Sequence, residues 1–248
     1  MSKTIDREIR ETRLLLRSIP APTVTAFVLS VIIMNLLANK SVNLPFEWLA
    51  LDCGIIVSWL SFLCVDVITK HFGPKAAFRL TFIAVMFNLF VCAIFKLGSI
   101  IPGTWGESYV DGSEAVINTA LDNTFGGIWY VLLGSTIAFA LSAAVNILLN
   151  VAVAKGFKNN PDSFLAFAMR SYVSTAAGQF VDNMTFALLV SHVFFGWTML
   201  QCVMCSFTGM IAELICEMIF SPIGYKICAS WKKEGVGAEY LRVAADAA

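Results

Sequence analysis

Apolar residues in this chain fall into six long runs separated by polar or charged segments. The runs cover about 21–38, 46–67, 76–97, 125–154, 171–195 and 198–220. About 20 apolar residues in a helix cross the hydrocarbon core of a bilayer, so the pattern predicts six transmembrane helices. The period-two alternation of barrel strands is not seen. The second run carries Glu47 and Asp52 near one end, and the fourth is long enough to be tilted or to extend beyond the bilayer. Ser221-Pro222 is expected to stop the sixth. A polar interval at 98–123 holds Pro102, Gly103, Gly106, Glu107, Asp111, Glu114 and Asp122. The resulting expectation is an all-α, integral membrane six-transmembrane-helix bundle at 21–222. An N-terminal segment at 1–20 precedes it and a tail at 223–248 follows.

Composition agrees with a membrane protein. The chain has 248 residues, 58% hydrophobic and 14% charged, against roughly 45–50% and 25% in soluble domains. Mean hydropathy is +0.77. Net charge is zero, so no nucleic-acid partner is implied. The placement of the charges is informative. All of the 17 Lys and Arg residues except Lys40 and Lys96 fall in the N-terminal segment, the second-to-third connection, the fourth-to-fifth connection or the tail. By the positive-inside rule this puts both termini in the cytoplasm and the acidic 98–123 loop outside. Residues 1–19 are too charged for the apolar core of a signal peptide. Ile5, Ile9, Leu16 and Ile19 instead recur at roughly helical spacing, which predicts an amphipathic helix lying on the cytoplasmic membrane surface and ended by Pro20 and Pro22.

Polar residues inside the apolar runs are the candidate site, because a charge at the bilayer centre costs at least about 2.5–3.5 kcal/mol and tends to face a bundle interior. Asp182 sits near the middle of the fifth run in GQFVDNMTF (178–186), with Gln179 and Thr185 three residues away on either side and so on one helical face. It either contacts solute or makes one buried hydrogen bond between helices. Asn146 follows Gly134, Ala138 and Ser142 at four-residue steps that let helices approach closely; solute contact and interhelical bonding are equally open to it. Asn35 and Asn88 are lone amides, read first as interhelical hydrogen bonders and second as cavity lining. Asp66 ends the second run near Lys70. Glu213 and Glu217 lie one turn apart in the sixth; Glu213, the deeper, is placed to line a cavity, and Glu217 is expected to pair with a basic residue. A shift of 36 residues sets Ser135 on Ser171, Ala140 on Ala176 and Asn146 on Asp182, a sparse echo of the repeats found in transporters.

Seven cysteines are present, mostly within apolar runs where they act as small hydrophobes. Cys202 and Cys205 form a CxxC, but with only His71 and His192 in the chain the sequence offers no zinc ligand set. No nucleotide loop, nucleophile elbow or catalytic metal motif is present. The reading calls for no enzyme activity, cofactor or metal.

Three segments carry a family resemblance: VDVITKHFGPKAAFRL (65–80), MRSYVSTAAGQFVDNMTFALLV (169–190) and SPIGYKICASWKKEG (221–235). Together with length and span pattern, they make the chain resemble the queuosine-precursor transporters (the YhhQ-like, or vitamin-uptake-transporter, family) over nearly its whole length. The resemblance implies a fold similar to the substrate-binding subunits of energy-coupling-factor transporters, a bacterial inner-membrane location, and import of 7-cyano- or 7-aminomethyl-7-deazaguanine. It matches Asp66, Gln179 and Asp182 to the family's polar positions. A carboxylate such as Asp182 can accept from the N–H groups of a guanine-like edge, and an amide such as Gln179 can donate to its carbonyl. Trp59, Phe180 and Phe186 are candidates to stack on the base. The chain departs from the family at Lys70, where many members have Glu, at Ser142-Ala143 before Asn146, and at Tyr130 in place of an Arg, so a related but distinct solute is open.

The expected function is a transporter whose cavity, lined by Asn146, Gln179 and Asp182 with Glu213, binds a purine-like base. The alternative is a substrate-binding membrane subunit for another vitamin-like or nucleobase solute, served by a separate energising complex. A scaffold whose polar residues only join helices is a third reading. Lipid is a partner in each, and a homo-oligomer is compatible with all.

Overall fold

A computed structural model describes residues 2–42, 45–46, 51–105, 114–127 and 129–245; Glu47, Gly106, Glu107 and Asp111 lie outside them. The described residues are helical throughout, apart from connections and one isolated antiparallel bridge between Ser41 and Asp52. The helices are α1 (Ser2–Ser18), α2 (Ala21–Leu37), α3 (Ile55–Phe72), α4 (Pro74–Ile100), α5 (Glu114–Asp122), α6 (Trp129–Ala154), α7 (Phe164–Phe186), α8 (His192–Phe194), α9 (Met199–Glu234) and α10 (Ala238–Ala245). A widened π turn, Ala187–Ser191, continues α7 into α8.

The distribution of side chains is that of a membrane protein. Large apolar groups such as Phe82, Phe90, Leu148 and Ile219 point outward at 60–65% exposure, while Asp66, Glu213 and Glu217 are 0–1% exposed inside. In water the reverse would be expected; in lipid, association rests on packing and interhelical hydrogen bonds. Among the described residues four stretches are long and apolar enough to cross a membrane: α3, α4, Ala115–Phe157 and α9. A fifth arises if Arg7–Ser18 and Ala21–Leu37, bent by 104° at their break, count as one span. Of the six expected spans, α2 is short at 17 residues. The other, α7, gives positions to Arg170, Gln179, Asp182 and Asn183.

Several expected boundaries are corrected. The second helix begins at Ile55, not near residue 46, so Asp52 lies in the connection before it. There, backbone bonds from Val42 N to Leu51 O and from Cys53 N to Lys40 O, both 2.8 Å, pair 40–42 antiparallel with 51–53. The fifth helix begins at Phe164, capped by the Ser163 side chain, so Arg170 is in the helix rather than in a loop. Pro222 does not stop the sixth helix, which runs on to Glu234. Proline removes an N–H and leaves the carbonyl four residues back without its partner. Here the Ser221 hydroxyl lies 3.5 Å from that carbonyl, Met218 O, and donates to it, the kind of repair seen in membrane helices. The helix ends instead at Gly235, which takes the left-handed conformation at φ 66°.

The basic segments meet at one end of the bundle. Arg79 and Lys75 bind Glu11 of α1 at 2.6 and 3.1 Å. Lys70 and Lys232 contact the α6–α7 loop at Pro161 O and Asp162, and His71 faces Val236 O at 2.9 Å. The α1 helix also packs on α10. Gly73, at φ 86°, permits the tight α3–α4 turn, and Pro74 starts α4.

Glu11 joins α1 to the bundle. Arg79, then Arg7 and Lys75, hold its carboxyl well below the usual carboxylate range, at about 2. Its contribution is therefore complete above the ordinary carboxylate pKa and is lost as pH falls toward about 2. Glu11→Gln should reproduce the acid state at neutral pH. Trypsin cleavage at Arg10 and Arg13 in detergent micelles should then become several-fold faster, and an unchanged rate would show that α1 docks without this carboxylate.

Candidate functional site

The α6–α7 hairpin builds the site. The two helices run antiparallel, so that Gly134 meets Val190, Ser142 meets Asp182, Asn146 meets Gly178, and Asn150 meets Arg170. The approach is close because one partner is often small. A Cβ on Gly178 would sit 2.9 Å from Phe62 Cε1 and 3.3 Å from the Ser142 carbonyl oxygen. With α3 and α9 packed across it, this hairpin presents polar side chains in two layers, one toward each end of the bundle.

The outer layer, farther from the basic end of the bundle than the inner, surrounds a cavity of about 30 Å³ lined by residues from α2, the α2–α3 connection, α3, α6, α7 and α9. Asn35, Asp52, Ser135, Gln179, Asp182 and Glu213 are its principal polar lining. Ser58 Oγ donates to Glu213 Oε1, and Ser142 Oγ donates to Asp182 Oδ1 at 3.0 Å. Four other polar atoms here are buried without a partner among the described residues: Asn35 Nδ2, Ser135 Oγ, Gln179 Nε2 and Glu213 Oε2. Buried polar groups usually have partners, so each orphan calls for an explanation. Their convergence on one cavity marks it as a place for a hydrogen-bonding molecule. The volume admits a water or two, whereas ligand pockets reach roughly 300 Å³ or more, so a larger solute needs this space to widen. The π turn immediately after Phe186, a lining residue, and the α2–α3 connection are the irregular parts of its wall; π turns often sit at functional sites.

The inner layer is a compact network. Asp66 accepts from Asn150 Nδ2 at 3.0 Å, from Ser174 at 3.3 Å, from Thr175 at 3.4 Å and from Ser171. Arg170 donates to Asn150 Oδ1 through Nε at 3.1 Å and Nη2 at 2.6 Å. Ser171 Oγ also lies 2.5 Å from Glu217 Oε1, while Glu217 Oε2 has no partner among the described residues.

The expected site residues therefore divide. Asn35, Gln179, Asp182 and Glu213 come together at the outer cavity. Asp66 belongs to the inner layer. Asn146, with both side-chain polar atoms unpartnered, lies between the layers at the level of Gly178. Asn88 donates to Thr136 Oγ1 at 2.7 Å between α4 and α6 and does not line the cavity. Glu217 bonds Ser171 rather than the basic residue expected of it. Of the three candidate stacking rings only Phe186 lines the cavity. Trp59 is stacked on Phe220 at 3.9 Å, and Phe180 packs against Phe207 at 5.2 Å. Sequence reasoning missed Asp52, Ser58 and Ser135, and also Asn150, Arg170 and Ser171. Asn150 was signalled by its four-residue spacing from Asn146; serines in a membrane helix give no comparable signal, since they can bond their own backbone.

The family model described as putative vitamin uptake transporter matches residues 52–227. No curated protein and no solved structure matches the chain.

The Gly178 crossing holds both layers in register. Gly178→Ala should lower stability by about 1–3 kcal/mol through overpacking, measured as a fall in thermal unfolding temperature of the purified protein in detergent. An unchanged temperature would mean that Phe62 yields freely.

Proposed function

The chain belongs to the putative vitamin uptake transporter family, and from that premise we propose that it imports a purine-like base, a 7-cyano- or 7-aminomethyl-7-deazaguanine precursor of queuosine, through the outer cavity. The topology of this reading is six spans with both termini cytoplasmic, in a bacterial inner membrane. The orientation rests on the clustering of the basic segments at one end. Belonging to a transporter family, the chain is not an enzyme.

The observation that carries the solute class is the mixture of orphaned groups around one cavity: the donors Asn35 Nδ2 and Gln179 Nε2, the acceptor Glu213 Oε2 and the hydroxyl Ser135 Oγ, beside the Asp182 carboxylate. A guanine-like edge needs this mixture. Its ring N–H and exocyclic amine are donors for Asp182 and Glu213, and its carbonyl is an acceptor for Gln179 or Asn35. Phe186 supplies an apolar wall against which a flat ring can pack. Polar groups left unpaired without solute discriminate strongly against molecules that lack the matching hydrogen bonds. Entry requires the cavity to expand, so binding and conformational change are linked.

The test is rescue of bacteria that can neither make nor import queuosine precursors, fed limiting 7-cyano-7-deazaguanine, with queuosine in tRNA as the readout. The native chain should restore it. Asp182→Asn should cut initial uptake roughly tenfold or more, as expected for losing a hydrogen bond worth about 1.5–3 kcal/mol when one partner is charged, and Gln179→Ala, which loses a neutral bond worth about 0.5–1.5 kcal/mol, should cut it roughly two- to tenfold. Native-level uptake by Asp182→Asn at equal membrane abundance would remove that residue from the site. No rescue by membrane-inserted native protein would reject this solute.

A further inference from the structure

The inner polar layer contains a hydrogen-bond count that does not close with both acids ionised. Ser171 has one hydroxyl hydrogen, yet its oxygen contacts Asp66 Oδ2 and lies 2.5 Å from Glu217 Oε1. Two carboxylates are both acceptors, so one hydrogen cannot serve both. Asp66 is otherwise well supplied with donors, from Asn150, Ser174 and Thr175, although the Ser174 hydroxyl also lies 3.1 Å from its alternative acceptor, the Ser171 carbonyl. Among the described residues Glu217 has only the Ser171 hydrogen bond. Its Oε2 has no partner, and the residue is 0% exposed. A bare carboxylate oxygen in that position is costly, whereas the carbonyl oxygen of a neutral acid is much less so.

Charge counting agrees. Asp66 and Glu217 face one guanidinium, Arg170, whose charge reaches Asp66 through Asn150. The other charged or titratable groups near the pair are Lys70 and Cys64 of α3, and Glu213, Cys216 and Cys228 of α9; Lys70, one turn beyond Asp66, is turned away to Pro161 O and Asp162 of the α6–α7 loop, Glu213 belongs to the outer layer, and α6 contributes the neutral Asn150. One further positive charge makes the layer neutral.

We propose that Glu217, Ser171 and Asp66 form a proton-binding site, in which the Glu217 O–H donates to Ser171 and the Ser171 O–H donates to ionised Asp66, and that the proton held there is the coupling ion for transport. The coupling half of this proposal rests on the transport reading above. Glu213 stands one helical turn from Glu217 on α9 and faces the solute cavity. Asn146 lies between the layers with its amide unpartnered. A proton gained or lost at Glu217 thus acts on the cavity across about one turn, or roughly 5.4 Å of rise.

Two measurements on the full chain test this. The first needs no solute: infrared spectra of the purified native protein and Glu217→Gln in lipid at pH 7. The native-minus-variant difference should contain the carbonyl stretch of a neutral carboxylic acid. In Ser171→Ala that band should persist but shift upward as the acid loses its acceptor. A difference spectrum without the acid band overturns the site. The second uses proteoliposomes and 7-cyano-7-deazaguanine. Native uptake should rise at least several-fold with an inward proton gradient and fall back with a protonophore. Glu217→Gln should keep gradient-free counterflow exchange yet lose that stimulation. Native uptake that follows a sodium gradient and ignores the proton gradient overturns the coupling. So does undiminished proton stimulation in the variant. Absence of counterflow in the native protein alone would instead reject the solute assignment, leaving the infrared result to decide the site.

Discussion

The antiparallel register of α6 against α7 is the constraint on which the rest of the interior depends. It sets Ser142 against Asp182 and Asn150 against Arg170, with Asn146 and Gly178 between them. A slip by one residue would turn these polar side chains toward lipid, where they would lack partners at a cost of several kcal/mol each. The small residues permit the approach, and the polar pairs choose one register from the several that small residues alone would allow. In lipid there is little hydrophobic drive between helices, so this choice falls to packing and hydrogen bonds.

That register yields two layers with different character. The inner one is largely satisfied: Asp66 is surrounded by donors, and Asn150 links it to Arg170. Networks of this kind rigidify the elements they join. The outer one has orphaned atoms around a small cavity bordered by a π turn and by Leu51, Asp52 and Gly54 of the α2–α3 connection. A bundle rigid at one layer and incompletely satisfied at the other is suited to local opening at the second. Gly54 shows how tightly the connection is seated: a Cβ there would be 2.9 Å from the Met34 carbonyl oxygen.

The basic end has a separate logic. The Lys and Arg side chains that mark orientation also bind neighbouring segments: Arg79 and Lys75 hold α1, while Lys70 and Lys232 meet the α6–α7 loop. Exposed ion pairs contribute little singly, but Glu11 is nearly buried and shared among three cations, so the amphipathic helix is bound to the bundle as well as suited to a membrane surface.

The sequence by itself determined the all-helical membrane class, the alternation of basic and acidic connections, the amphipathic first helix and the placing of Gln179, Asp182 and Glu213 in the bundle interior. These follow from local chemistry: apolar length sets where helices run, and charge in an apolar run is too costly to be incidental. Helix limits were less legible, because the bonds that carry α9 through Pro222 and the cap that starts α7 at Phe164 depend on particular side-chain geometry. The grouping of polar residues was not legible at all. Only the tertiary structure decided that Asp66 and Glu217 share Ser171, that Arg170 is interior, that Asn88 merely bonds Thr136, and that Asn35, Asp52 and Ser58 reach the same cavity as Asp182. Which polar groups meet is a property of helix register and rotation across the bundle, and side-chain spacing within one helix carries no information about either.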